Sequence, residues 1–293
     1  MERRILVPGS EWLYFKLYTG IRSADNLLTN NFFPILNRLI EHHYITEFFF
    51  IRYKDEHFHL RLRLHLSNEK NFSEVLKSFY SSFEECSLNG LLWNIQIDTY
   101  KREIERYGSN TIHIFESLFC IDSDIIIKLM TELRVSPEED QHRWQLSLLL
   151  IDDILSMMGY NLIQKKDMMQ TLSESYKQEF HFTSSTYTQQ INRKYRENKS
   201  TISIILKDRI NSSLKEYLSL LEERMFRMAP YAKQIINLDK KKELKTHLNS
   251  LVNSIIHMTM NRLFRSQNRL HEMVIYNFLY KYYDSVIAIN KWK

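Results

Sequence analysis

From His59 to Leu66 the chain reads HLRLRLHL, a strict alternation of leucine with basic residues. A β-strand sends successive side chains to opposite faces, so this pattern suits an extended strand and no helix. Leu60, Leu62, Leu64 and Leu66 would form one face. His59, Arg61, Arg63 and His65 would form the other, and Arg52, ending the strand-like run before it, is placed in the same row. A solvated outer face and an anion-binding floor both fit such a row. Two features favour the floor: surface strands usually mix charge signs, and the neighbouring strands add aromatic residues to the same side.

The elements before and after this strand complete a pattern. Trp12–Thr19 alternates as a strand, and residues 23–43 read as a helix capped by Ser23 or Asp25, with Pro34 marking a restart. Glu47–Tyr53 and His59–Leu66 form a hairpin, Phe72–Glu85 an amphipathic helix, and residues 91–99 a fourth strand. The order β-α-β-β-α-β predicts a ferredoxin-like module over residues 1–108, with its first and third strands central. Leu13, Phe15, Leu17, Phe49, Ile51, Leu60, Leu62, Leu64, Trp93, Ile95 and Ile97 would face the two helices. Trp12, Tyr14, Lys16, Tyr18, Phe48, Phe50, Arg52, His59, Arg61, Arg63, Asn94, Gln96 and Asp98 would face the other way. That mixed aromatic and cationic surface is too apolar to stay fully wet, so a second layer is expected to cover part of it and leave a cleft.

No glycine follows Gly159, and Pro230 is the sole proline beyond that point, so residues 109–293 should be mostly long helices. The expected class is α+β, a sheet module packed against a helical region as one compact catalytic domain. Net charge is only +5, which argues for neither DNA nor RNA. Cys86 and Cys120 sit in apolar contexts without metal-ligand spacing, which fits reduced, buried thiols and a cytoplasmic location. Neither a signal peptide nor a transmembrane segment is read. No metal and no cofactor is expected, because His57/His59 and His42/His43 lack companion ligands and no phosphate-cradling glycine loop is present.

Two further clusters carry candidate chemistry. In Tyr100–Gly108 (YKREIERYG) Arg102 and Arg106 are four apart and would share a helix face, either as an exposed charge ladder or with Arg102 joining the anion site. In IIHMTMNRLFR, His257 and Asn261 are also four apart, with Arg262 beside them. A histidine there can be structural or catalytic, and an adjacent hydrogen-bond partner would fix its tautomer.

Four segments, PGSEWLYFKLY (8–18), FFFIRYKDEHFHLRLR (48–63), YKREIERYG (100–108) and HMTMNRLF (257–264), occur in order along nearly the whole chain. Together they resemble the C-terminal domain of lantibiotic dehydratases, the thiopeptide-type bacteriocin biosynthesis family. The chain departs from the usual pattern at two loop positions, Asp55-Glu56 in place of Asp-Pro and Ser109 in place of a second glycine. The resemblance implies a stand-alone lyase that eliminates glutamate from glutamylated Ser or Thr of a precursor peptide, giving dehydroalanine or dehydrobutyrine. It places Arg52, Arg61, Arg63 and Arg102 at the glutamate and enolate site and His257 in proton transfer. Lys16, His59, Asn261 and Arg262 become supporting, substrate-binding residues. Its implied partners are a precursor peptide with its leader, a separate glutamylation enzyme using glutamyl-tRNA, a cyclase, and a second copy of the chain in a homodimer. The same fold hosts [4+2] pyridine synthases, which tend to lack the arginine and histidine set. A non-catalytic escort that docks a leader on a sheet edge, and an RNA-binding sheet face, are the readings from other classes.

Overall fold

The leucine face of the alternating strand decides how the chain folds up. In the computed structural model, which describes residues 3–182 and 184–290, the main sheet has four antiparallel strands in the order β3-β4-β2-β5. These are β2 Trp12–Thr19, β3 Ile45–Lys54, β4 Phe58–Leu66 and β5 Leu92–Ile97. The first and third strands of this set are therefore central. Leu13, Phe15 and Leu17 lie beside Leu64, Leu62 and Leu60, and all are fully buried. Helix α3 (Phe72–Leu88) brings Phe79 to 5.6 Å from the Phe15 ring. Burying each such side chain contributes roughly 1.5–3 kcal/mol.

The other covering segment is α1 (Ser23–Asn26), a π-helical turn (Leu27–Phe32) and α2 (Phe33–Glu41). Pro34 in the first turn of α2 has no N–H to give, and the wider turn ahead of it lets the helix continue. A two-stranded ribbon joins β1 (Ile5–Leu6) to β6 (Tyr100–Lys101). The short α4 (Ile104–Tyr107) follows.

From there the chain is helical: α5 (Ile112–Leu133), α6 (Glu139–Met157), α7 (Leu162–Glu179), α8 (Ser185–Lys207), α9 (Leu218–Lys240), α10 (Leu248–Leu263) and α11 (Asn268–Asn290). Among the described residues no helix is long and apolar enough to cross a membrane.

The register corrects the face assigned to β3. Phe49 and Ile51 lie opposite Arg63 and Arg61, while Phe48, Phe50 and Arg52 lie opposite Leu64, Leu62 and Leu60. Arg52 thus belongs to the leucine side and does not join the cationic row. Trp93 is displaced too: at the irregularity between Tyr18 and Thr19 its ring is 5.0 Å from Tyr18, and it is 56% exposed.

The helices dock on the edge of β3. Ser123 of α5 accepts from the Phe50 N–H at 3.1 Å, and Arg262 Nε donates to the Phe50 carbonyl at 3.0 Å. Asn261 accepts from the Arg52 N–H at 2.9 Å and donates to its carbonyl at 2.8 Å. An edge strand that would otherwise present free backbone groups is closed by side chains.

Two buried carboxylates hold this seam. Asp25 receives Arg52 at 2.6 Å, Arg143 at 3.0 Å and Arg265 at 2.8 Å. Burial alone would raise its pKa, but the guanidiniums of Arg52, Arg143 and Arg265 outweigh that and lower it to about 2. Asp122 of α5 receives Arg224 of α9 at 2.6 Å and Arg262 of α10 at 3.0 Å.

Candidate functional site

The cationic face is graded from one end to the other. Arg61 lies opposite Lys16, and Arg63 opposite Tyr14, across the β2–β4 pair. At the Arg63 end the second layer is present: Tyr100 packs 6.0 Å from Phe49, and Phe119 of α5 packs 5.8 Å from Phe49. At the Arg61 end the face is open, with Tyr53 41% exposed. The expected cover is therefore partial.

Arg63 is only 7% exposed. Its guanidinium carbon lies 4.5 Å from the Tyr14 ring centre, 4.6 Å from Tyr100 and 5.1 Å from Phe49. Aromatic faces attract the cation but leave its N–H donors unused. Its Nε is buried without a hydrogen-bond partner. Among the described residues no carboxylate pairs with it. The other buried arginines differ: Arg52 and Arg143 meet Asp25, Arg224 and Arg262 meet Asp122, and Arg102 meets Glu116.

Arg61 is held from two sides. Its guanidinium stacks on Tyr53, 3.4 Å from the ring centre, and its Nε donates to His59 Nε2 at 3.2 Å. His59 Nδ1 is 3.1 Å from the His57 carbonyl. Burial lowers the His59 pKa, favouring the neutral ring that donates from Nδ1 and accepts at Nε2. His59 thus orients Arg61 from beneath. Lys16 is paired with Asp98 at 2.6 Å, and that hydrogen bond raises its pKa.

Arg102 does not share a helix face with Arg106. It precedes α4, and its Nε and a terminal nitrogen donate to the two Glu116 oxygens at 2.7 and 2.9 Å. Tyr100 donates to the same carboxylate at 2.8 Å. Arg102 therefore supports the Tyr100 wall of the Arg63 cage. Arg106 turns instead to Ser254 of α10, at 3.0 Å. At the end of α4, Gly108 adopts φ +81°, where a β-carbon would come within 2.8 Å of Thr111 Oγ1.

His257 is 22% exposed at its side chain and its Nδ1 is 3.0 Å from Glu272 Oε1. Glu272, fully buried on α11, also accepts from Asn268 at 3.0 Å, Tyr176 at 2.8 Å and Tyr276 at 2.9 Å. With the carboxylate beside it, the imidazole donates from Nδ1, and Nε2 is its other ring nitrogen. Sequence reading missed Glu272. The signal is an acid four residues from both Asn268 and Tyr276, followed at once by the apolar run Met273, Val274 and Ile275.

Asn261 and Arg262 do structural work, closing the β3 edge and pairing with Asp122. His257 and the arginine row do not touch. They are joined by a short path: Asn261 is one helical turn from His257, it holds the Arg52 backbone, and the next residue, Tyr53, carries Arg61.

Residues 12–283 match the family described as lantibiotic biosynthesis dehydratase C-term. The chain belongs to that family. It is 26% identical over 292 residues to the nisin biosynthesis protein NisB of Lactococcus lactis subsp. lactis, covering 94% of this chain and 26% of NisB. It is 27% identical over 283 residues to the subtilin biosynthesis protein SpaB of Bacillus subtilis, covering 93% of this chain and 25% of SpaB. The chain thus spans about a quarter of the length of the curated relatives it matches.

Among solved structures, the tRNA-dependent lantibiotic dehydratase MibB from Microbispora sp. 107891 superposes with a TM-score of 0.75 at 20% identity, over 96% of this chain and 29% of MibB. The pyridine synthase TbtD from thiomuracin biosynthesis gives 0.61 at 11% identity, over 96% of this chain and 100% of TbtD. Both show the shared fold.

Proposed function

We propose that this chain eliminates glutamate from glutamylated Ser or Thr residues of a ribosomally made precursor peptide, in lanthipeptide or thiopeptide-type biosynthesis. The observation that carries the reading is Arg63, a buried guanidinium in an aromatic cage without a carboxylate of the described chain to meet it. A carboxylate-bearing substrate supplies that partner, and Arg61 next to it in the row supplies a second cation.

The elimination removes the Cα proton of the esterified residue. The freed electron pair forms the Cα=Cβ bond, the Cβ–O bond breaks, and glutamate departs as its carboxylate. Arg61 and Arg63 stabilise the enolate-like intermediate and the leaving carboxylate. His257, oriented by Glu272, moves the proton through Nε2. Arg102 acts through the Tyr100 wall, Lys16 and His59 hold the polar floor, and Arg52, Asn261 and Arg262 hold the scaffold.

We read the sheet and its two helices as a ferredoxin-like module, supported by the strand order, that works with the helical part as one catalytic domain. The substrate must come from an activity that acylates Ser and Thr with glutamate, which we assign to a glutamylation step using glutamyl-tRNA. The product alkene is fit for a cyclase that adds cysteine thiols.

The test is mass spectrometry of a glutamylated Ser/Thr peptide with its leader, incubated with the protein. Loss of glutamate with gain of a thiol-reactive alkene is expected, and Arg61→Ala or His257→Ala should leave the ester in place. Full activity in both variants would remove the site assignment. The fold shared with the pyridine synthase TbtD supports a second reading, a [4+2] pyridine synthase. That reading predicts turnover of a peptide carrying two dehydroalanines and an unchanged glutamyl ester.

A further inference from the structure

Helix α10 carries Asn249, Asn253, His257 and Asn261 at intervals of four residues, a single slowly turning stripe. Its C-terminal member shows what such an asparagine does beside extended backbone: Asn261 both accepts from and donates to Arg52, a two-point bond to one residue of a strand edge. Its N-terminal members line a groove of about 810 Å³ between α7, α9 and α10, together with Gln164, Thr171, Leu172 and Ser250. Asn249 is already bonded to Tyr160. Asn253 is different, since its side-chain oxygen is shut away from water without a hydrogen-bond partner among the described residues. Such an acceptor is costly to leave unmatched.

The groove points at the proton-transfer pair. One turn beyond Asn253 on α10 is His257, and one turn beyond Leu172 on α7 is Tyr176. These two side chains converge on Glu272. Resting on the elimination reading above, we propose that this groove binds the main chain of the substrate peptide flanking the glutamylated residue. On binding, Asn253 turns its amide out into the groove and pairs with the peptide backbone as Asn261 pairs with Arg52, and the segment runs along α10 toward His257. Recognition through backbone amides reads no side chain, so it does not depend on which residues flank the modified one.

The probes are two fluorescein-labelled ligands in which the glutamate is joined through an amide instead of an ester, so neither can turn over. One is a twelve-residue peptide with the glutamylated residue at its centre, and the other is that single residue blocked at both ends. With the full chain, Asn253→Leu should raise the Kd of the long peptide at least tenfold and that of the short compound by less than twofold. Equal shifts for both ligands, or none, would overturn the groove. As a second measurement, a photo-crosslinking benzophenone amino acid at exposed Thr171 should capture the long peptide, and competition with unlabelled peptide should abolish capture. No capture by a folded protein would also overturn it. If the long peptide binds and crosslinks as expected but its ester analogue is never eliminated, the groove stands and the elimination reading falls.

Discussion

Arg262 and Arg63 are both buried guanidiniums, and they sit in regions built on opposite principles. At the seam between sheet and helices, Arg262 has Asp122, the Phe50 carbonyl and Ser123 within hydrogen-bond reach. On the sheet face, Arg63 has three aromatic rings and, among the described residues, no carboxylate. Burying a charge is tolerated when a partner is built in beside it. Where the described residues offer no carboxylate, as around Arg63, the unmet charge is the one we propose to meet a substrate. The contrast separates arginines that fix the fold from the one we propose for a substrate, although both kinds look alike in the sequence.

Removing a built-in partner should have the largest effect. Asp122→Ala leaves two buried guanidiniums uncompensated, and unfolding in urea should show a loss of about 3–5 kcal/mol. Arg63→Met provides the converse case. Its transition-state stabilisation should fall by roughly 2.7–4 kcal/mol, read as kcat on a glutamylated peptide, while the urea midpoint stays the same or rises. If Arg63→Met unfolds the protein and Asp122→Ala does not, the distinction collapses.

Acid separates the regions more gently. The Asp25 pKa lies at about 2, below its ordinary 3.8. The stability it contributes is therefore present above pH 3.8 and is lost as pH falls through about 2. Wild type should lose about 2 kcal/mol more than Asp25→Asn across that window, measured as unfolding free energy at successive pH values. The smallest effect is expected for Asn261→Ala. It frees one N–H and one carbonyl of Arg52 and should lower stability by about 1–2 kcal/mol, with hydrogen exchange at the Arg52 amide rising correspondingly.

The parts of this structure that were legible in the sequence are those where chemistry alternates. HLRLRLHL fixes the phase of β4, because a shift by one residue would put arginines among the leucines. The run Phe48–Phe50 carries no such phase. All three rings are buried, since α5 packs against one face of β3 through Phe119 and α2 against the other through Phe33, and so an all-apolar run assigns the faces of β3 the wrong way round. The paired roles of Arg52 and Arg262 were hidden for a related reason: their partners, Asp25 and Asp122, are 27 and 140 residues away. His257 was readable from its own helix, but Glu272 lies across a turn on the next one, and only packing brings them together.

The sealed edge of β3 also bears on how such domains can diversify. A sheet module transferred without the helical part would carry Phe50 and Arg52 with unmet backbone groups, and Asp25 without Arg143 and Arg265. Recombination among relatives should therefore exchange the two parts as one inherited piece. Point substitution on the open Arg61 end remains the freer route to new substrates.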